Sequence, residues 1–180
     1  MKKIITAFII GVMILSSGLV ASAQKTSESL TASKALSIAK SARIHYYSAL
    51  NGYDIKSNKS CSQKAFKYKK TDYRYFCKDF NTKKKLVTYL NEVFTLNAIE
   101  KGFKEYRFID YKGKLALPVG DGGSTLNWNK AKGKVIYKKK DVRLYEFSVP
   151  NEETGKTVKV KVTFVKVKNK WLINAFDSVK

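Results

Sequence analysis

Arginine is scarce in this 180-residue sequence: only 4 of its 36 basic residues are Arg, and the other 32 are Lys. Arg grips phosphate through a planar fork, whereas Lys is a solvated point charge, so the composition does not favour a nucleic-acid reader. Acids are scarce too, 14 in all and scattered. No two are nominated as the carboxyl pair, about 5–9 Å apart, that glycoside hydrolysis requires. Histidine occurs once, at His45, with no serine or cysteine nucleophile motif beside it. It reads as a partly buried structural residue, although triads assemble in space rather than in sequence. With two cysteines and one histidine, the four N/S ligands of an ordinary structural zinc site cannot be supplied. These shortages point to no enzyme, no metal and no cofactor.

What the chain has in quantity is lysine and apolar surface. The formal net charge is +22, 44% of residues are hydrophobic and 13% are aromatic. That is enough for a real core, so disorder of the whole chain is excluded. The length suits one domain. The charge favours a soluble monomer attracted to anionic surfaces and says nothing about fold.

The first 23 residues predict the compartment. Lys2 and Lys3 precede an apolar run from Ile4 to Val20, and Ala21-Ser22-Ala23 supplies a small-x-small cleavage site. This reads as a secretory signal peptide, with 24–180 as the single mature domain and no membrane insertion after cleavage. A retained anchor is the alternative, the run being near the lower limit for a span. Cleavage removes two lysines and no acid, leaving an excess of about +20. Export also makes nucleic acid a poor partner. In an oxidising compartment Cys61 and Cys77 either form a disulfide or remain two thiols, and the spacing leaves both open.

Helical spacing of apolar residues over 31–50, capped by Thr31 and stopped at Asn51-Gly52, predicts a first helix. A polar, Lys- and Ser-rich stretch follows, with a short ordered piece around Phe66–Tyr68. Tyr73, Arg74 and Tyr75 read as a short strand or an aromatic turn. Asn81 or Thr82 caps a second helix whose Leu86, Val87, Leu90, Val93 and Phe94 share a face, and Thr95 starts a third that ends at Gly102. Beyond 103 the period becomes two, with strands expected at 106–111, 114–117, 125–128, 133–139, 142–149, 157–167 and 171–175. Alternation slips near Phe164–Val167, which predicts a bulge or a strand end. The fold expected is α+β: N-terminal helices packed on a C-terminal antiparallel, hairpin-connected sheet, in a single domain. Lys-coated outer strand faces read as solvated surfaces that also resist edge-to-edge aggregation.

The most informative segment is Pro118-Val119-Gly120-Asp121-Gly122-Gly123-Ser124, leading to Trp128. Three glycines within four residues permit positive φ and little bulk. No Gly-Lys-Ser/Thr follows, so it is not a phosphate-binding P-loop. It reads either as a long hairpin connection or as a narrow probe able to enter a partner's cleft, with Asp121 an isolated acid at its tip.

Three stretches carry a family resemblance. Tyr73-Arg74-Tyr75 followed by Asn81-Thr82-Lys83-Lys84-Lys85-Leu86 is the first. Tyr111-Lys112-Gly113-Lys114-Leu115-Ala116-Leu117-Pro118 running into Gly120–Ser124 and Trp128 is the second, and Phe164 to Trp171-Leu172-Ile173 the third. Together they resemble the IseA (YoeB) family of secreted inhibitors of bacterial cell-wall DL-endopeptidases, across about residues 30–176. The resemblance implies a compact α+β domain without catalytic activity. It also implies binding to NlpC-type cysteine peptidases that cut D-γ-glutamyl–diaminopimelate links, and a place in the Gram-positive cell wall or medium. Blocking of the peptidase cleft is then expected from the loop 118–124 with Trp128, and Asp121 can imitate an acid of the stem peptide. Tyr73, Arg74 and Tyr75 are secondary contact candidates, with burial an equal alternative for the tyrosines. A monomer is expected, with weak contact to anionic wall polymers. The competing reading is a non-enzymatic envelope protein held by those polymers alone, which salt would release steeply.

Overall fold

A computed structural model describes residues 29–57, 61–120 and 123–180. The proposed signal segment, and Asp121 and Gly122 of the loop, lie outside the described residues. The first helix, α1 (Ala32–Asn51), begins where Thr31 Oγ1 accepts the Lys34 amide and stops where Gly52 adopts φ 75°, returning its N–H to Ser48 and Ala49 carbonyls. Only a residue tolerant of the left-handed region ends a helix this way cheaply. Its alanines, Ala35, Ala39, Ala42 and Ala49, are fully buried and let neighbouring elements approach closely.

Two short helices follow, α2 (Lys83–Leu90) and α3 (Leu96–Glu105), capped by the hydroxyls of Thr82 and Thr95. Helix α2 is shorter than its apolar spacing suggests. It ends at Leu90, and Phe94 lies in an isolated parallel bridge with Ile173. Conversely, α3 runs through Gly102, which is no stop. A Cβ there would come within 2.6 Å of the Phe176 ring, so the residue serves close packing inside the helix. The strand expected from 106 starts at Ile109, because Arg107 takes φ 51° and breaks the extended run.

Among the described residues eight strands form two antiparallel four-stranded sheets, so the α+β class is observed with its strands divided between two sheets and not gathered in one. One sheet orders β1 (Ala65–Tyr68), β2 (Thr71–Tyr75), β4 (Lys114–Pro118) and β3 (Ile109–Tyr111). The other is a meander of β5 (Lys132–Lys139), β6 (Val142–Pro150), β7 (Thr157–Val167) and β8 (Lys170–Ile173). The alternation slip in β7 marks its end at Val167. The register shift falls instead in β5, between Val135 and Tyr137. No strand forms at 125–128: Leu126 makes a single bridge to Asn151, and Trp128–Lys130 is a 3-10 turn.

Helix α1 packs against β5, β8 and α2. Its alanines meet a core in which Tyr145, Phe147 and Val149 of β6 sit beside Val162, Phe164 and Ile173. Leu115 and Leu117 bring the first sheet to the same core. Cys61 and Cys77 are disulfide-bonded, with Cα atoms 5.9 Å apart. Among the described residues, no helix is long and apolar enough to cross a membrane.

Candidate functional site

Both limbs of the Gly-rich loop are pinned. On the entering side Pro118 pairs with Tyr73, and the Val119 amide donates to the Asp72 carbonyl at 2.8 Å. On the leaving side Asn127 N–H donates to the Pro150 carbonyl at 2.7 Å and Glu152 N–H to the Thr125 carbonyl at 2.9 Å. Ser124 Oγ accepts the Leu126 amide, and Asn127 Oδ1 accepts the amides of Asn129 and Lys130, which fixes the turn into Trp128. Between these anchors Val119, Gly120 and Gly123 are exposed. A Cβ at Gly120 or Gly123 would meet none of the described atoms within 4 Å. Gly120 has no positive φ, so what it contributes at this position is slimness rather than an unusual backbone.

A residue that sequence reasoning missed holds the loop to the body. Arg43 of α1 donates from one guanidinium nitrogen to the Ser124 carbonyl and from another to the Val179 carbonyl, each at 3.3 Å. Its guanidinium carbon lies 4.8 Å from the Tyr47 ring centroid. One side chain therefore ties the loop, the helix and the chain's last turn together. A groove of about 450 Å3 lies beside it, lined by Lys40, Arg43, Tyr47, Asn127, Trp128 and Glu152 among others. A lone Arg on the polar side of a helix carries no sequence signal for such a role. Arginine's scarcity was its one distinguishing mark.

The other nominated residues separate into two groups. Trp128 is 3% exposed and its ring packs 5.4 Å from Phe147, so it anchors the loop's base in the core instead of offering its face outward. Arg74 turns toward α1 and donates to the Leu50 carbonyl at 3.0 Å. Tyr73 and Tyr75 project to the opposite side of the sheet, where Tyr73 is buried beneath neighbouring rings and Tyr75 is half-buried.

His45 is buried, with Nδ1 donating to the Ser41 carbonyl at 2.8 Å, Nε2 facing Glu92 Oε2 at 3.3 Å, and its ring stacked 4.1 Å from Tyr89. Burial raises the hydroxyls of Tyr46, Tyr89, Tyr106 and Tyr145 above the ordinary tyrosine value, Tyr89 to about 12. Such groups stay neutral and serve as hydrogen-bonding struts: Tyr46 and Tyr106 meet at 2.7 Å, and the Tyr89 hydroxyl meets Ser48 and Asp54. Among the described residues, no three His, Cys, Asp or Glu side chains cluster as a metal site would require.

The described residues form an α+β body on which the 118–124 segment is held at both feet by hydrogen bonds and is exposed at Val119, Gly120 and Gly123. The chain belongs to the IseA DL-endopeptidase inhibitor family, whose model matches residues 26–178. It is 44% identical over 180 residues to Uncharacterized protein YoeB of Bacillus subtilis (strain 168), a match that covers 99% of each chain. The resemblance carried by the Tyr73–Tyr75, Tyr111–Ser124 and Phe164–Ile173 stretches is thereby borne out. Membership makes the role an endopeptidase inhibitor's, which implies a non-enzymatic protein with a peptidase as partner.

Proposed function

We propose that the protein is exported through its N-terminal signal segment. At the cell wall or in the medium it restrains peptidoglycan DL-endopeptidases of the NlpC cysteine-peptidase type by inserting the 118–124 loop into their active-site cleft. The observation that carries this reading is the loop's construction. Three of its four central residues, 120–123, are glycines, so that stretch has little side-chain volume, and its feet are fixed by backbone hydrogen bonds and by Arg43. Fixed feet favour insertion, because residues held before binding lose less conformational entropy on binding. Asp121 would offer the cleft a carboxylate in place of the acidic group of the stem peptide, on a loop that otherwise carries no charge from 118 to 124.

The test is lysis of peptidoglycan by an NlpC-type endopeptidase, followed as turbidity with and without an equimolar amount of the mature chain. Deleting residues 120–123 should abolish protection. Asp121→Ala should weaken it if the carboxylate is read and leave it intact if loop shape alone suffices. Undiminished lysis across several such enzymes would sink the inhibitory reading itself.

A further inference from the structure

The first sheet has an outer face that the core does not use. Strand alternation places Phe66 and Tyr68 of β1, Tyr73 and Tyr75 of β2, and Tyr111 of β3 on this side, opposite Leu115 and Leu117. None of the five rings belongs to the main hydrophobic cluster, and they pack on one another. Phe66 lies 4.5 Å from Tyr111 at 13° between planes and 4.6 Å from Tyr75. Phe66, Tyr68, Tyr75 and Tyr111 are partly buried and keep part of their ring surface open to solvent.

Lysines rim these rings. Lys69, Lys112 and Lys114 hold their Nζ atoms 5.4, 5.5 and 5.9 Å from the centroids of Tyr68, Tyr111 and Tyr75. At the Lys114 end, an open groove of about 660 Å3 is lined by Phe66, Tyr75 and Tyr111 and by the bonded Cys61 and Cys77. Lys64, Lys78, Lys112 and Lys114 line it and, among the described residues, no acid does. Asp72 and Asp110 belong to the same strands but point to the other side by alternation. The second sheet differs in this respect: its outer lysines Lys134 and Lys159 face Glu146 at 3.4 and 3.9 Å.

We infer that this groove is a binding site for an anionic carbohydrate polymer, with sugar C–H surfaces laid against the ring cluster and carboxylate or phosphate groups met by Lys64, Lys112 and Lys114. Charge complementarity argues for an anionic occupant. The ring lining argues for one with an apolar face as well, since lysines alone need no aromatic bed. A protein partner fits less well: interface centres are depleted in Lys and enriched in Arg, and none of the large exposed aliphatic residues Leu96, Val119, Ile136, Val158 and Val167 lines the groove. The rings are already stacked, so the site is preordered. The inference does not rest on the inhibitory reading, and its test reads no peptidase activity.

The experiment is titration of the mature chain with polygalacturonate, which carries one carboxylate per sugar, at one fixed low salt concentration. Neutral dextran and polyglutamate of similar length are the comparison polymers. Saturable binding to polygalacturonate, at least several-fold tighter than to either comparison, is expected. Lys112→Ala with Lys114→Ala should weaken it about tenfold, the cost of two charge-assisted contacts. Lys159→Ala with Lys161→Ala removes the same charge from the second sheet and should change it less than about twofold. Equal losses from the two pairs would reduce the site to general electrostatics and overturn the proposal. Polyglutamate binding as tightly would overturn it in favour of an acidic polypeptide, and absence of saturable binding would overturn it outright. The polymer comparison uses the unaltered chain, and both lysine pairs are exposed, so folding does not confound the outcome.

Discussion

Replacing Arg43 should separate the loop from its support. In Arg43→Ala, two guanidinium hydrogen bonds to the Ser124 and Val179 carbonyls are lost, together with the stacking over Tyr47. Hydrogen bonds to charged groups contribute about 1.5–3 kcal/mol, but at 3.3 Å these two are long, so about 1 kcal/mol each is the better figure. The cation–π contact of a half-buried Arg adds about 0.5–1 kcal/mol. The variant should therefore unfold in urea with a stability lower by about 2–3 kcal/mol. Arg43→Lys keeps a cation over Tyr47 but reaches one carbonyl at a time, and should lose about 1 kcal/mol. Only the Ser124 tether bears on the loop. If the loop is the inhibitory element, Arg43→Ala that is still folded should inhibit an endopeptidase about fivefold less well, the equivalent of that one bond. A stability change below about 0.5 kcal/mol would refute the bonding scheme. Full inhibition by a destabilised variant would refute the claim that the tether positions the loop.

Three further substitutions test the fold that carries the site. Cys61→Ser with Cys77→Ser opens a cross-link spanning 16 residues, which in the chain-entropy account costs about 3 kcal/mol. A loss below about 1 kcal/mol by urea denaturation would show that the Cys77 N–H bond to the Gly52 carbonyl and the Gln63 bond to the Asn51 carbonyl already fix this segment. Gly102→Ala would ordinarily strengthen a helix by about 1 kcal/mol. Here the new methyl meets the buried Phe176 ring at 2.6 Å, so a net loss of about 1–3 kcal/mol is expected. A gain in melting temperature would show that the ring moves aside. In the β7–β8 hairpin, Lys168 and Asn169 both hold positive φ, 47° and 66°. Changing them to Asn-Gly, the pair that suits such a turn, should raise stability by about 1 kcal/mol, and an unchanged denaturation midpoint would contradict the turn geometry.

The parts of the fold legible in the sequence are those decided by local chemistry. Thr31, Thr82 and Thr95 announce three helix starts because a hydroxyl cap acts within one turn, and Gly52 announces a stop because its own φ makes it one. Gly102 shows the limit: the same residue type serves a contact with Phe176, 74 positions away, which no local pattern reveals. The division into two sheets is hidden for the same reason. It depends on β4 pairing with β2, as Tyr75 does with Ala116, across two intervening helices. At the site, the slim loop is readable from its glycines, while its supports are not. Trp128 looks like a contact residue beside a Gly-rich loop, yet its large apolar ring finds more burial against Phe147 than at the surface.

The lysine excess, so conspicuous in the composition, does different work on different faces. On the second sheet Glu146 partly neutralises the lysines across the strands, leaving a surface that repels other sheet edges without favouring one ligand. On the first sheet the groove lysines face no acid among the described residues and stand over rings, where an anion gains from both charge and packing. The loop projects from the far end of β4, beyond Pro118, whereas the groove lies at the Lys114 end. Four strand steps separate them, about 13 Å. On the readings proposed above, a polymer in the groove leaves the loop uncovered, so retention in the wall and occlusion of a peptidase would not compete for the same surface. The two activities should then separate by mutation. Lys112→Ala with Lys114→Ala would release the polymer while leaving inhibition of a soluble endopeptidase assay unchanged, and loss of both together would mean that the groove and the loop form one interface.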